Sequence, residues 1–319
     1  MAGYTDVSFE ELERFLAAYD IGVPLTFKGI AEGVENSNYF LATGKGSFIL
    51  TLYEKRVKAE DLPFFLGLLE HLSAHGIACP LPVRNLSAAQ LSTLGGRPAA
   101  LFTFLNGVSL RRPETAHCAA AGAALAKMHD AGKGFALRRK NALSHDGWSE
   151  LVEACVPRAD EVEPGLAELI STAHAEITAN WPSGLPEGVI HADLFPDNVL
   201  FMGGEVSGLI DFYFACNDAF AYDLAVMLNA WCFEPDVAFN VTKSKSLIAA
   251  YAKHRTLSAA EREAIPVLAC GAALRFLLTR LFDWLNRDPT ALVRPKDPRD
   301  YSRRLRFHRK VRGGGEYGL

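Results

Sequence analysis

Apolar positions recur at helical spacing from Phe9 to Tyr19, where Phe9, Leu12, Phe15, Leu16 and Tyr19 share one face. They predict an amphipathic helix. The pattern then shortens. Leu25 to Ile30, Ser37 to Ala42 and Ser47 to Tyr53 are brief runs rich in β-branched and aromatic residues, the last two separated by Gly44-Lys45-Gly46. These read as strands, with a hairpin at the glycines. Asp61 to His75 is helical again and stops at Gly76, a residue suited to a helix C-terminus. After the bend Cys79-Pro80-Leu81-Pro82, strands are expected over Ala89 to Ser92 and Pro98 to Phe104, with a turn at Asn106-Gly107. From there the periodicity is mostly helical: Ala116 to Ala131, longer segments between Gly147 and Trp181, Ala221 to Phe233, Ser244 to His254, and the apolar stretch Ala264 to Asn286. Strand character interrupts it at Val189-Ile190, Val199-Leu200-Phe201 and Gly208-Leu209-Ile210. The pattern predicts an α+β chain in two lobes. A small β-rich lobe covers about residues 1–105 and a larger, mostly helical lobe covers 106–319, with a hinge at Phe104 to Gly107.

Composition narrows the class of function. Of 319 residues, 49% are hydrophobic and 22% charged, an ordinary globular balance that excludes a disordered or fibrous chain. The formal charge of −4 gives no pull toward nucleic acid. No apolar run reaches 18 residues, so no membrane span is expected, and the N-terminus lacks the basic start and apolar stretch of a secretory signal. Cys79, Cys118, Cys155, Cys216, Cys232 and Cys270 are scattered without a C-x-x-C pair, which points to buried thiols in a reduced, cytoplasmic protein. The basic run from Arg294 to Arg312 reads as a solvated face, and Gly313-Gly314-Gly315 as frayed.

The chemistry concentrates in residues 189–223. Val189-Ile190 leads into His191-Ala192-Asp193-Leu194-Phe195-Pro196-Asp197-Asn198, and another strand follows. Asp211 ends the strand Gly208-Leu209-Ile210, thirteen residues after Asn198. An alcohol attacking a phosphoryl group needs a carboxylate to orient its hydroxyl and take its proton late, and Asp193 is placed for that. Magnesium prefers hard oxygen ligands, and Asn198 and Asp211 supply an amide oxygen and a charged one. Strand ends lying side by side can bring all three to one metal–nucleotide site. His191 is expected to hold the loop, Asp223 to brace it, and Asp197 to be a solvated turn residue. H-x-D-x-x-x-x-N followed by I-D is the pattern of kinase-like phosphotransferases. Asp223 lies only twelve positions after Asp211, too few for a peptide-docking activation segment, which favours a small-molecule acceptor.

With those residues in hand, the chain resembles the aminoglycoside-phosphotransferase-like kinases, and more closely the bacterial homoserine kinases built on that protein-kinase-like fold. Three further stretches carry the resemblance: Gly33-Val34-Glu35-Asn36-Ser37-Asn38-Tyr39-Phe40 with Phe48 to Glu54; Asp61-Leu62-Pro63-Phe64-Phe65 leading to Gly76-Ile77-Ala78-Cys79-Pro80; and Arg275-Phe276-Leu277-Leu278-Thr279-Arg280-Leu281-Phe282-Asp283-Trp284. The resemblance implies ATP and Mg²⁺ as cofactors and homoserine as acceptor. A kinase for another amino alcohol or an aminoglycoside, a protein kinase of the same fold, and a nucleotide-binding pseudokinase remain as alternatives.

Asn36, Ser37 and Asn38 are expected in a turn covering the ATP phosphates, where short polar residues tolerate unusual backbone angles. Phe102, Thr103 and Phe104 are expected at the adenine, at the junction of the lobes. The wider kinase pattern places a Lys on the third strand, paired with a Glu on the next helix. Here those positions fall on Thr51 and near Phe65, and Lys55, Arg56 and Lys58 are the nearby cations. For a zwitterionic acceptor, Arg280 and Asp283, three apart on one helix, offer a cation and an anion, with Arg275 as a second cation. The resemblance also implies Asp146 and Trp148 as walls of the acceptor pocket.

Overall fold

The structure is a computed structural model and describes residues 7–30, 36–54, 57–287 and 295–319. The chain divides into two compact units. One runs to Asn106 and takes in Gly208–Tyr213; the other comprises Gly107–Ser207 and Phe214–Leu319.

The first unit opens with α1 (Phe9–Leu16), started by a reciprocal cap in which Ser8 and Glu11 satisfy each other's backbone N–H. Leu12, Phe15 and Leu16 form its buried face. Five antiparallel strands follow: β1 (Pro24–Ile30), β2 (Asn36–Thr43), β3 (Gly46–Tyr53), β4 (Ser92–Leu94) and β5 (Arg97–Thr103), in the order β1-β2-β3-β5-β4. Leu41, Leu50, Leu52 and Leu101 join the buried face of α1 in one core. Between β3 and β4, α2 (Leu62–Ala74) ends before Gly76, whose φ of 86° suits glycine. The strand expected over Ala89 to Ser92 begins only at Ser92. The Asn85 side-chain oxygen takes the N–H of both Ser87 and Ala89, and that turn withholds those residues from the sheet. The hairpin turn falls at Gly95-Gly96, with φ of 58° and 73°.

In the second unit, α3 (Thr115–Ala131), α4 (Trp148–Cys155) and α5 (Leu166–Ala179) precede β6 (Glu187–Ile190), β7 (Val199–Met202) and β8 (Glu205–Leu209), along which the chain passes back to the first unit. Then come β9 (Cys216–Ala219), α6 (Phe220–Trp231), α7 (Val241–Ala252), α8 (Ala259–Leu285) and α9 (Arg299–His308). β9 reads Cys-Asn-Asp-Ala, without the residues that favour strands. It exists because it pairs with β6 in the register Ile190↔Cys216 to Glu187↔Ala219. α8 begins five residues before the expected Ala264, at a capping box of Ser258 and Glu261, and continues through Pro266. By length and composition α8 could cross a membrane, yet 72% of its apolar window is buried within the chain's own fold.

At the C-terminal end most of the basic side chains are exposed, as a solvated face requires, but the expectation of a frayed tail is corrected. α9 buries Tyr301, Ser302, Leu305 and His308, and a short turn at Gly314–Tyr317 inserts Tyr317 fully into the core. The Tyr317 hydroxyl donates to His308 Nδ1 at 2.8 Å, and His308 Nε2 donates to Asn229 Oδ1 at 3.1 Å. The apolar Tyr301, Leu305 and Tyr317 are spaced among so many basic residues that composition hides them. Burial, with Arg304 nearby, pushes the His308 imidazole down from 6.5 to about 3. Between those values the unfolded chain binds the extra proton, so stability present above pH 6.5 is lost as pH falls. At pH 5 this amounts to about 2 kcal/mol. His308→Gln should therefore show a smaller drop in urea midpoint between pH 7 and pH 5 than the parent; an equal drop would assign the acid sensitivity elsewhere.

Candidate active site

The loop between β6 and β7 is held by side chains from two helices, α6 and α8. Asp223, in the first turn of α6 and fully buried, accepts from the backbone N–H of His191 at 2.7 Å and of Ala192 at 2.8 Å. The bracing role expected of it is what the geometry shows. On the other side of the loop, Arg275 of α8 donates to the Ala192 carbonyl. The Trp231 indole of α6 donates to the Leu194 carbonyl at 2.7 Å. His191 is fully buried, and its Nδ1 accepts from the Asp193 N–H at 3.3 Å. Phe195 packs edge-on against Phe276 with ring centroids 4.9 Å apart. These contacts hold Ala192 at φ 62°, a left-handed conformation that costs an alanine about 1 kcal/mol or more.

Behind Asp223 lies a buried polar chain. His129 of α3 bonds Asp223 through Nε2 at 2.9 Å and the Tyr251 hydroxyl through Nδ1 at 2.8 Å. Arg255 reaches Tyr251 at 3.2 Å and Glu261 at 2.7 Å. Burial alone would raise the Asp223 carboxyl, but the His129 bond and the loop amides hold it below its ordinary value, while burial also lowers the His129 imidazole. The pair is thus a carboxylate accepting from a neutral imidazole. Asp223→Ala strands His129 and two loop amides in the core, and should cost about 3 kcal/mol or more by urea denaturation. A loss under 1 kcal/mol would deny Asp223 this role.

Asp193 is half-buried. Asn198, at the end of the short helical turn before β7, donates its amide nitrogen to the Asp193 carbonyl at 2.8 Å and to the Asp193 carboxylate at 3.3 Å. Asp197 is exposed and faces Lys296 at 3.2 Å.

Asp211 belongs to the first unit. It follows β8 with an exposed carboxylate and φ of 62°, a conformation aspartate tolerates better than most residues. Two residues on, Tyr213 sets its ring edge-on to Tyr53 at 5.6 Å and to Phe65 at 5.7 Å. Its hydroxyl lies 3.4 Å from that of Tyr53 and is pushed up to about 12, chiefly by burial. Thr51 is buried and donates to the Asn38 side chain at 2.8 Å. An aromatic and hydroxyl cluster thus gathers at Thr51 and Phe65, where a Lys–Glu pair was expected to be replaced. Lys58 is exposed beside Glu60 at 3.8 Å; Lys55 and Arg56, like Gly33, Val34 and Glu35, lie outside the described residues.

Asn36, Ser37 and Asn38 were expected in a phosphate-covering turn, overlapping the strand expected from Ser37; the structure places all three on β2, paired with Tyr53, Leu52 and Thr51. Ser37 donates to Glu54 at 2.8 Å, and Glu54 pairs with Arg97 at 3.0 Å. The Asn36 side-chain oxygen is buried without a hydrogen-bond partner among the described residues. At the end of β5, Phe102 is buried and Thr103 exchanges bonds with Leu81, while Phe104 is 40% exposed and packs edge-on to Phe40. Of these three, only Phe104 is exposed.

The acceptor residues are placed unevenly. Arg280 stacks over Tyr301 at 4.4 Å and approaches Asp300 at 4.0 Å. Asp283, half-exposed on the same helix, lies near enough to Cys155 to reinforce the rise that burial imposes on that thiol, to about 11. Arg275 is 1% exposed and engaged under the loop. Trp148 is fully buried against Trp181, its indole donating to the Leu143 carbonyl, and Gly271 leaves room there, since a Cβ on it would meet Trp181 at 2.4 Å. That is a core position, and no acceptor contact is assigned to Trp148. Asp146 is exposed and paired with Lys140 and His145. His129 and Trp231 were not singled out in the sequence, since neither stands in a local motif.

Among the described residues no group of three or more His, Cys, Asp or Glu forms a metal cage. Of the residues expected to hold Mg²⁺, Asn198 carries an amide oxygen and Asp211 an exposed carboxylate, each the hard oxygen type that Mg²⁺ takes beside phosphate oxygens.

Comparison with known proteins places the chain in a family. Residues 26–257 match the phosphotransferase enzyme family. The homoserine kinase of Nitrobacter winogradskyi is 61% identical over 319 residues, covering 100% of this chain and 98% of that protein. That of Xanthobacter autotrophicus is 60% identical, covering 100% and 99%. Among solved structures, the amicoumacin kinase hAmiN, in complex with AMP-PNP, Ca²⁺ and Ami, superposes with a TM-score of 0.71 at 17% identity, over 95% of this chain and 92% of that one. The kinase-like α+β fold and the resemblance drawn from the motifs are both borne out. The chain belongs to the phosphotransferase enzyme family and, within it, to the homoserine kinases.

Proposed function

We propose that this chain transfers the γ-phosphoryl group of ATP to the side-chain hydroxyl of L-homoserine, as a cytoplasmic step of threonine biosynthesis. Magnesium-bound ATP supplies the activated phosphoryl group and the charge neutralisation that transfer requires. Asp193 orients the acceptor hydroxyl and takes its proton as the new bond forms. Asn198 steadies the Asp193 carboxylate through its amide nitrogen and offers its oxygen to the metal, and Asp211 gives the charged oxygen ligand. His191 and Asp223 fix the backbone that carries Asp193. Phe104 offers a ring face to the adenine, and Asn36, Ser37, Asn38 and Thr51 support the nucleotide from the β-rich lobe of residues 1–105. Arg280 and Asp283 meet the acceptor's carboxylate and ammonium in the lobe of residues 106–319.

The observation that supports this most is the loop itself: a half-buried carboxylate fixed by Asn198, on a backbone held from both sides. The aromatic cluster at Thr51 and Phe65 favours a second reading, a nucleotide-binding pseudokinase. Asp193, Asn198 and Asp211 speak against it, since a module that only binds nucleotide has no use for the base. ADP release separates the two. Purified protein with Mg²⁺ and ATP should release ADP when homoserine is added, with one phosphate ester formed per ADP. Nucleotide binding without homoserine-dependent ADP release supports the second reading.

A further inference from the structure

We propose that Arg275 is a positioning residue, which fixes the peptide entering Asp193 and so aims its carboxylate, and that it makes no contact with the acceptor. The inference rests on the reading of Asp193 given above. A guanidinium that is 1% exposed in the middle of an apolar helix is costly to keep. None of the ion pairs among the described residues gives Arg275 a carboxylate. Its charge lies instead between two aromatic faces, 4.4 Å from the Phe276 ring and 5.2 Å from that of Phe214. One of its nitrogens donates to the carbonyl of Ala192.

That carbonyl and the N–H of Asp193 belong to one peptide plane. Arg275 holds the oxygen, and His191 Nδ1 holds the hydrogen at 3.3 Å. The preceding plane is held by Asp223, which takes the Ala192 N–H at 2.8 Å. Ala192 therefore sits between an anion on its N–H and a cation on its carbonyl, locked at φ 62°. Without the cation, Ala192 is free to relax toward an ordinary φ, and rotation of that plane swings Asp193. A lysine, with a mobile point charge, replaces a planar fork poorly at such a site.

Steady-state kinetics of Arg275→Lys, Arg275→Met and Arg275→Met combined with Ala192→Gly test this, with AMP-PNP binding as the check on folding. Arg275→Met should lower kcat roughly 10- to 100-fold, the scale of a small misplacement of a reacting group, with KM for homoserine and ATP within about threefold. Arg275→Lys should fall between parent and Met. Adding Ala192→Gly should recover at least about fivefold of the lost kcat, because glycine adopts φ 62° without the Cβ strain that drives alanine away from it. On an Asp193→Ala background the Met substitution should cost less than about twofold more, as expected of groups acting as one unit. A tenfold rise in homoserine KM with kcat kept would make Arg275 an acceptor ligand and overturn the proposal. So would full additivity with Asp193→Ala, or no recovery by glycine. Should Arg275→Met fail to bind AMP-PNP, Arg275→Lys with and without Ala192→Gly decides in the same terms. Near-normal turnover of Asp193→Ala itself would instead break the underlying reading, whatever Arg275 does.

Discussion

Replacing Asp193 with alanine is expected to lower kcat roughly 10²- to 10⁴-fold, the range for a positioned acid or base, while nucleotide still binds. In barrier height this is about 3–5 kcal/mol. The loop should survive the change. Asn198 bonds the Asp193 backbone carbonyl at 2.8 Å, and Asp223 and Arg275 hold the preceding residue by its backbone, all independently of the deleted carboxylate. What disappears is the group that orients the hydroxyl and receives its proton. Asp193→Asn separates those duties, since it keeps the shape and a hydrogen-bond acceptor but not the basicity. It should be nearly as slow as alanine. Turnover within a few-fold of the parent in either variant would remove Asp193 from the mechanism.

Asp211→Ala is expected to abolish productive binding of magnesium-ATP. Two physical effects combine. The charged oxygen, the harder of the two proposed protein ligands, is lost. The position also holds φ 62°, which alanine tolerates less well than aspartate, at a cost of about 1 kcal/mol. Asp211→Gly relieves the second effect and not the first, so it should be more stable than alanine and equally inactive. Asp211→Asn keeps a neutral oxygen and should regain part of its activity as Mg²⁺ is raised. If Asp211→Ala keeps more than about a tenth of parental turnover at saturating Mg²⁺, Asp211 is not a metal ligand in this sense.

What was legible in the sequence was what is local. The runs that became β1, β2 and β3 show their turn glycines and β-branched residues openly, and α2 ends at Gly76 for the reason its sequence states. His191, Asp193 and Asn198 stand within eight residues, so their chemistry could be read from spacing alone. What holds them was not local. His129 meets Asp223 across 94 positions, and Arg275 meets Ala192 across 83. No periodicity carries such pairings. For the same reason Arg275 read as a second cation for the acceptor, whereas folding engages it under the loop, and β9 was missed because only its partner β6 makes it a strand. Asn36, Ser37 and Asn38 misled in the other direction. Their side chains suit a turn, but pairing with β3 and the bonds to Glu54 and Thr51 make them strand.

The central claim is phosphoryl transfer from ATP to the hydroxyl of homoserine, and competition among acceptors tests it most directly. With purified protein, saturating ATP and Mg²⁺, kcat/KM for L-homoserine is predicted to exceed that for choline, an aminoglycoside, an amino alcohol lacking the carboxylate, and a protein substrate by at least about tenfold, the discrimination that one unpaired polar group can supply. Any of these exceeding homoserine by the same factor would contradict the account.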